Sequence, residues 1–396
     1  MISQRQFFLQ NVAQTSPEPL QLEIKKAKGI YLYGVGGKKY IDLISGVSVS
    51  NVGHGNQKVL NAIRKQVAKY MHTHVYGELV LSPQVKYARL LDKLLPDTLS
   101  STYFVNSGTE AIEGAMKLAK KFTGRTEIIS FKNAYHGSTQ GALSIQGSET
   151  YKTAFRPLLP DIQLLQFNNT DDLQKISKKT AGVVVEPIQG EAGIILPQDN
   201  FLKKLRKRCD ETGTLLIFDE VQTGLGRTGK LFAFEHFDII PDILVLAKAF
   251  GGGMPLGAFI SSKEIMDSLK DNPALGHLTT FGGHPVSCAA GLAALKVVLE
   301  KNLIDTTLPK EVLFRSLLKH PAIKEIRGKG LYLSVELKRP EKIMKFILKL
   351  LENGILSDWF LFNDTSFRIT PPLTISEEEI RLSCKKILET LDEMEQ

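Results

Sequence analysis

The stretch Leu215–Gly253, LLIFDEVQTGLGRTGKLFAFEHFDIIPDILVLAKAFGGG, decides how the rest of the chain is read. It holds two short apolar runs, Leu215–Phe218 and Ile243–Leu246; Asp219 closes the first and Lys248 follows the second. Runs this short, bounded by turn signals, predict parallel strands buried on both faces. Ligands of open α/β sheets lie beyond the carboxyl ends of such strands, so an acid and an amine are aimed at one crevice.

The same texture repeats on either side. Strands are predicted at Thr102–Val105, Glu127–Phe131, Gln163–Phe167, Gly182–Val185 and Gly257–Ile260, with helical stretches between most of them. Together they make an α/β unit around a mostly parallel, seven-stranded sheet. Upstream, Gly29–Asp42 alternates apolar and polar residues around a Gly36-Gly37 turn, a hairpin signature, and helical periodicity covers Val59–Tyr70 and Pro83–Leu95. Downstream, a helix over Val286–Glu300 leads into helices mixed with short strands such as Gly330–Leu337, a smaller α+β unit. The expected division is an N-terminal segment, residues 1–52, packing with the small domain; a large domain, 53–290; and a C-terminal small domain, 291–396.

Composition narrows the function classes. The 396 residues are 43% hydrophobic, as a globular chain requires, and carry a net charge of +8. The lysines are scattered, and the densest basic run, Lys203–Arg208, is interleaved with Leu205 and preceded by Phe201 and Leu202, predicting the solvated face of an amphipathic helix and no nucleic-acid partner. The positive field suits anionic cofactors and carboxylate substrates. Cys209, Cys288 and Cys384 are too far apart for a metal pair and odd in number, which predicts buried thiols in a reducing compartment. His72 and His74 lack a carboxylate or cysteine at ligand spacing, so no metal is expected. The opening residues lack the apolar core of a signal peptide and no run is long enough to span a bilayer, so the expectation is a cytoplasmic protein without a membrane contact.

Several stretches carry candidate chemistry. In Tyr103–Lys120 a strand runs into Asn106-Ser107-Gly108-Thr109 and a helix begins at Glu110; free N–H groups at its start suit a phosphate, as they suit an ordinary helix cap. Phe131–Thr139 places Tyr135 and His136 after a strand, where an aromatic face either stacks on a flat ligand or fills the core. Val183–Ile194 puts Glu186 at a strand end and Glu191 just beyond, acids for pairing or proton work, or solvated loop carboxylates. Arg368, in FRITPPL, precedes a Pro-Pro turn and could grip a carboxylate or form a surface ion pair. Gly224–Lys230, GLGRTGK, imitates a phosphate-binding P-loop, but Leu231 stands where the metal-binding Ser or Thr is required.

Taken together, NSGTEA, AYHG, EPIQGEAGI, IFDEVQTGLGRTGK, the Lys248 segment, TTFGGHP and RITPPL occur in the order found in class III, ornithine/acetylornithine-type aminotransferases, and the chain resembles that family over nearly its whole length. The resemblance implies a pyridoxal 5'-phosphate enzyme of fold type I, with Lys248 forming the Schiff base and Asp219 pairing with the pyridine nitrogen. It implies that Tyr135 and Val221 sandwich the ring, that Gln222 bonds its phenolic oxygen, and that Gly108 and Thr109, helped by Ser107, hold the phosphate. His136 and Glu186 complete the expected cofactor shell. Thr280 is expected to reach in from a second subunit of a homodimer. Arg368 is implied as the clamp for the α-carboxylate of glutamate or 2-oxoglutarate, with Glu191 as its gate when an ω-amine donor is bound, in a ping-pong transfer. Members acting on acetylornithine carry an Arg after His-Gly where this chain has Ser138, and members acting on ornithine carry a Tyr where this chain has Val47. Diamines, lysine-like donors and other ω-amino acids therefore stay open as donors. Mutases and racemases share the scaffold, and the retention of Arg368 and Glu191 favours amino transfer over them.

Overall fold

The computed structural model describes residues 3–395. Its centre is a seven-stranded sheet: β1 (Ser101–Val105), β2 (Glu127–Phe131), β3 (Ile162–Leu165), β4 (Thr180–Val185), β5 (Leu215–Asp219), β6 (Ile243–Leu246) and β7 (Gly257–Ser261), in the spatial order β1-β7-β6-β5-β4-β2-β3. Only β7 runs against its neighbours. The other six therefore point their carboxyl ends to one edge, which β4, β5 and β6, buried on both faces, carry into the middle of the molecule. All seven predicted strands form. β3 stops at Leu165 because the next amide, Gln166 N–H, donates to Asp172 Oδ2 at 2.9 Å instead of continuing the ladder.

The helix after β1 spans Gly108–Thr123 and begins two residues before the predicted Glu110. Ser107 is its cap: Oγ accepts the Glu110 N–H at 3.2 Å, a contact of the kind that contributes about 1 kcal/mol. Gly124, at φ 69°, ends it in the left-handed conformation that glycine adopts without steric penalty. The basic run lies on a helix, Phe201–Thr212, that buries Phe201, Leu202, Leu205 and Cys209 and turns its lysines to solvent. All three cysteines are free and buried, and burial pushes the thiols of Cys209 and Cys384 up to about 12.

The N- and C-terminal parts share structure. The Tyr31–Gly34/Lys39–Asp42 hairpin continues into the same sheet as Ile355–Leu356, and Ile30, Ile41, Leu43 and Val52 pack in one apolar core with Leu331, Val335, Phe367 and Ile387. The helix Pro285–Glu300 gives Cys288 and Leu295 to the core of the large sheet and Ala290, Ala294 and Val297 to this second core. GLGRTGK forms a chain of turns followed only by the single 3-10 turn Ala233–His236, with no α-helix behind it. Its Arg227 is fully buried and ties distant segments together, donating to Leu331 O at 2.9 Å, Pro371 O at 2.6 Å and Asn51 Oδ1. Burial without a contacting carboxylate lowers that guanidinium to about 9. Among the described residues no helix is long and apolar enough to cross a membrane.

Candidate active site

A cavity of about 370 Å³ opens at the carboxyl edge of the sheet. Five strands deliver its walls: β1 leads to Ser107, Gly108 and Thr109, β2 to Tyr135 and His136, β4 to Glu186, β5 to Asp219, Val221 and Gln222, and β6 to Lys248. Asp219 and Lys248, predicted to face one crevice, line the same cavity.

Asp219 is nearly enclosed and doubly held. Its Oδ1 accepts the Val221 N–H at 3.0 Å, and Oδ2 lies 2.8 Å from His136 Nδ1. The other ring nitrogen of His136 is 3.1 Å from Ser130 Oγ, so the imidazole bridges strand β2 to the acid and fixes its orientation. Lys248 has a left-handed backbone, φ 53°, unusual for a residue with a side chain and typical of strain kept at functional positions. Burial lowers its amine to about 8, against the opposing pull of Glu191, so a sizeable fraction is neutral near physiological pH. Glu186 accepts the Tyr135 N–H at 3.0 Å and the Gly190 N–H at 2.8 Å. Burial pushes its carboxyl up to about 7 despite His136 beside it, with Asp219 adding to the rise.

Behind Gln222 lies a second charged group. Arg368 Nη2 meets both oxygens of Glu191, at 2.9 and 3.0 Å, and both residues are at least 95% shielded from solvent. Burial alone would raise the Glu191 carboxyl, but Arg368 and the Leu361 N–H hold it below the usual carboxylate range. Gln222 joins them, receiving Arg368 Nη1 at 3.3 Å and donating to Glu191 at 3.3 Å, and the guanidinium stacks 4.5 Å over the Phe360 ring. The surface ion pair considered for Arg368 is thus excluded: the pair is internal.

The family profile described as aminotransferase class-III matches residues 12–391. The chain belongs to the class III aminotransferases. This aminotransferase is 40% identical over 360 residues to an acetylornithine aminotransferase of Methanopyrus kandleri, covering 90% of each chain. It is 38% identical over 378 residues to a LysW-aminoadipate semialdehyde/glutamate semialdehyde transaminase of Sulfurisphaera tokodaii, covering 93% of this chain and 95% of that one. A crystal structure of the ornithine aminotransferase of Toxoplasma gondii, with pyridoxal phosphate at partial occupancy in its active site, superimposes with a TM-score of 0.91 at 31% identity, over 100% of this chain and 95% of that one. The fold of the class III aminotransferase is accordingly fold type I, as expected from the sequence.

Not every predicted residue reaches the cavity of this aminotransferase. Ser138 is exposed beside it, its Oγ 3.2 Å from the Tyr135 hydroxyl. Val47 is half-buried in a run, Ser45–Ser48, whose residues all have positive φ; at φ 57° a β-branched residue is strained. Asp42 supports that run by accepting the Ile44 and Ser45 N–H groups at 2.9 and 2.7 Å. Thr280 is exposed and away from the cavity of its own chain, its carbonyl 2.9 Å from His72 Nε2. Glu191 and Arg368 stand behind Gln222 and do not line the cavity wall. Sequence reasoning missed Thr139 and Glu113. The Thr139 hydroxyl lies 2.6 Å from Thr109 Oγ1 and donates to Glu113 Oε1 at 2.5 Å, which fixes the loop over the helix start. Partners thirty residues apart leave no local pattern to read.

Proposed function

We propose that this aminotransferase uses pyridoxal 5'-phosphate to move an amino group from an ω-amino donor to 2-oxoglutarate, in two half-reactions of a ping-pong cycle. The observation that carries the reading is the pairing of a desolvated amine, Lys248, with the His136-braced Asp219 across one cavity. The cavity suits the cofactor. A Cβ on Gly108 would press against both Val221 methyls at 3.1 Å, so the glycine keeps the helix start open, and the first N–H groups of that helix have no intrahelical partner and favour a phosphate. Ser107, Gly108 and Thr109 would hold that phosphate, Tyr135 and Val221 the ring faces, and Gln222 the phenolic oxygen. When bound, the cofactor supplies an electron sink for the carbanion left by loss of a C–H proton.

The chain's own residues then have distinct tasks. Asp219, oriented by His136 and the Val221 amide, favours a protonated ring nitrogen. Lys248, whose amine gives up its proton far more readily than an ordinary lysine, is the nucleophile that binds the cofactor's aldehyde and the base that moves the substrate's proton. Arg368 receives the α-carboxylate of glutamate or 2-oxoglutarate once Glu191 withdraws, and Glu191 shields it when the donor presents only its ω-amine. The first two relatives named above carry the names of acetylornithine and of aminoadipate and glutamate semialdehydes, compounds whose free carboxylate is remote from the reacting end, which agrees with an ω-amino donor here. We further propose a homodimer in which Thr280 completes the phosphate site of the partner, the three-part division 1–52, 53–290 and 291–396, and a cytoplasmic location.

The decisive test is half-reaction spectroscopy. Glutamate added to the cofactor-loaded protein should bleach the cofactor band and release one equivalent of 2-oxoglutarate; a protein that releases none is not a glutamate-dependent transaminase. A donor screen run alongside Ser138→Arg should show acetylornithine turnover rising in the variant if that position selects the donor.

A further inference from the structure

Tyr332 opens the strand Tyr332–Leu337 and is fully buried, yet its hydroxyl has no hydrogen-bond partner. A buried hydroxyl without a partner has lost its hydration for nothing in return, so each one calls for a physical reason. Its surroundings supply one. Ser334 pairs directly with Arg368 across the antiparallel ladder, and strand alternation sets Tyr332 on the same face as Ser334, alongside the Glu191–Arg368 pair. A Cβ built on Gly190 would lie 2.3 Å from the Tyr332 hydroxyl, 3.0 Å from Gln222 Nε2 and 3.2 Å from Glu186 Oε2. The phenol therefore rests against the residue that immediately precedes Glu191.

When a substrate carboxylate takes Arg368, Glu191 loses its guanidinium while still buried and keeps only neutral donors, the Leu361 N–H and the Gln222 amide, and a buried carboxylate short of its charged partner is disfavoured. The neighbouring acids cannot help, because Glu186 and Asp219 are themselves acceptors already engaged by N–H donors. We infer that the Tyr332 hydroxyl is the seat of the displaced Glu191 carboxylate, a positioning residue that donates a hydrogen bond to the gate in its open state. Burial together with the carboxylates around it pushes the phenol well above its usual range, so it stays a donor throughout. The inference rests on the carboxylate clamp proposed above.

Tyr332→Phe removes only the oxygen and keeps the ring against Ile188, Ile194 and Phe360. In the cofactor-loaded protein, the Kd for glutarate, an unreactive dicarboxylate, measured by calorimetry, should rise about 10-fold, the scale of one lost hydrogen bond to a charged group. The KM for glutamate should rise with it, and the half-reaction rate at saturation should not change. In a Glu191→Gln background the same Tyr332→Phe change should alter the glutarate Kd by less than about 2-fold, because no charge then needs a seat. An unchanged Kd in the single variant, or an equal rise in both backgrounds, overturns the inference. A wild-type protein that binds no glutarate refutes the clamp itself, and the role of Tyr332 with it; a wild type that binds glutarate while Tyr332→Phe binds it equally refutes Tyr332 alone.

Discussion

Replacing Lys248 by Met in the cofactor-free protein separates the electrostatic cost of this amine from its chemistry. Methionine keeps an unbranched stem of similar length and can accept the same backbone, but it carries no charge. The folded amine titrates at about 8, lowered from 10.5 by burial. Between those two values the unfolded chain binds more protons than the folded one, so the wild-type protein gains stability as pH rises through that window and is penalised below it. The penalty removed by Lys248→Met is about 3 kcal/mol at pH 7, about 2 kcal/mol at pH 9 and close to nothing at pH 11, at roughly 1.4 kcal/mol per pH unit. Urea unfolding of both proteins at the three pH values measures the difference directly. A variant no more stable than wild type at pH 7, or one whose advantage persists at pH 11, would refute the view that Lys248 is a desolvated amine poised for nucleophilic attack.

Two further substitutions probe the cofactor shell. Asp219→Asn keeps an oxygen for the Val221 N–H but abolishes the charge proposed to face the ring nitrogen; the glutamate half-reaction is expected to slow at least about 100-fold while cofactor is still retained, and a loss below about 3-fold in stopped-flow traces would remove Asp219 from the mechanism. Gly137→Ala places a methyl group 2.4 Å from Thr109 Oγ1 at a backbone with φ +122°, so the loop must shift away from the helix start. Cofactor affinity, followed by fluorescence titration, should fall by about 10-fold or more, in line with the usual penalty for overpacking, and an unchanged affinity would separate Thr109 from phosphate binding.

Much of this was legible in the chain itself. The parallel sheet announced itself through apolar runs such as Val183–Val185 and Leu215–Phe218, because strands buried on both faces have no polar side to interrupt the pattern. Glu186, Asp219 and Lys248, which line the cavity, were placed at its edge for the same reason: each lies at, or within two residues of, a strand end that is predictable. The hairpin over Gly29–Asp42 and the amphipathic helix over Phe201–Thr212 were equally local.

What the chain could not disclose is any relation between residues far apart in it. Only the folded structure shows His136 bonded to Asp219 across 83 positions, or Arg368 sealed against Glu191 across 177. The same holds for Arg227, which resembled part of a phosphate loop and became a buried tie between four segments. Charge states belong to this second class. A lysine, a glutamate and a phenol have ordinary proton affinities as letters in a sequence; burial and neighbours move Lys248 to about 8, Glu186 to about 7 and Tyr332 upward. Local periodicity determined which residues reach the carboxyl edge of the sheet, and tertiary packing alone, by removing water and choosing partners, decided what each of them can do there.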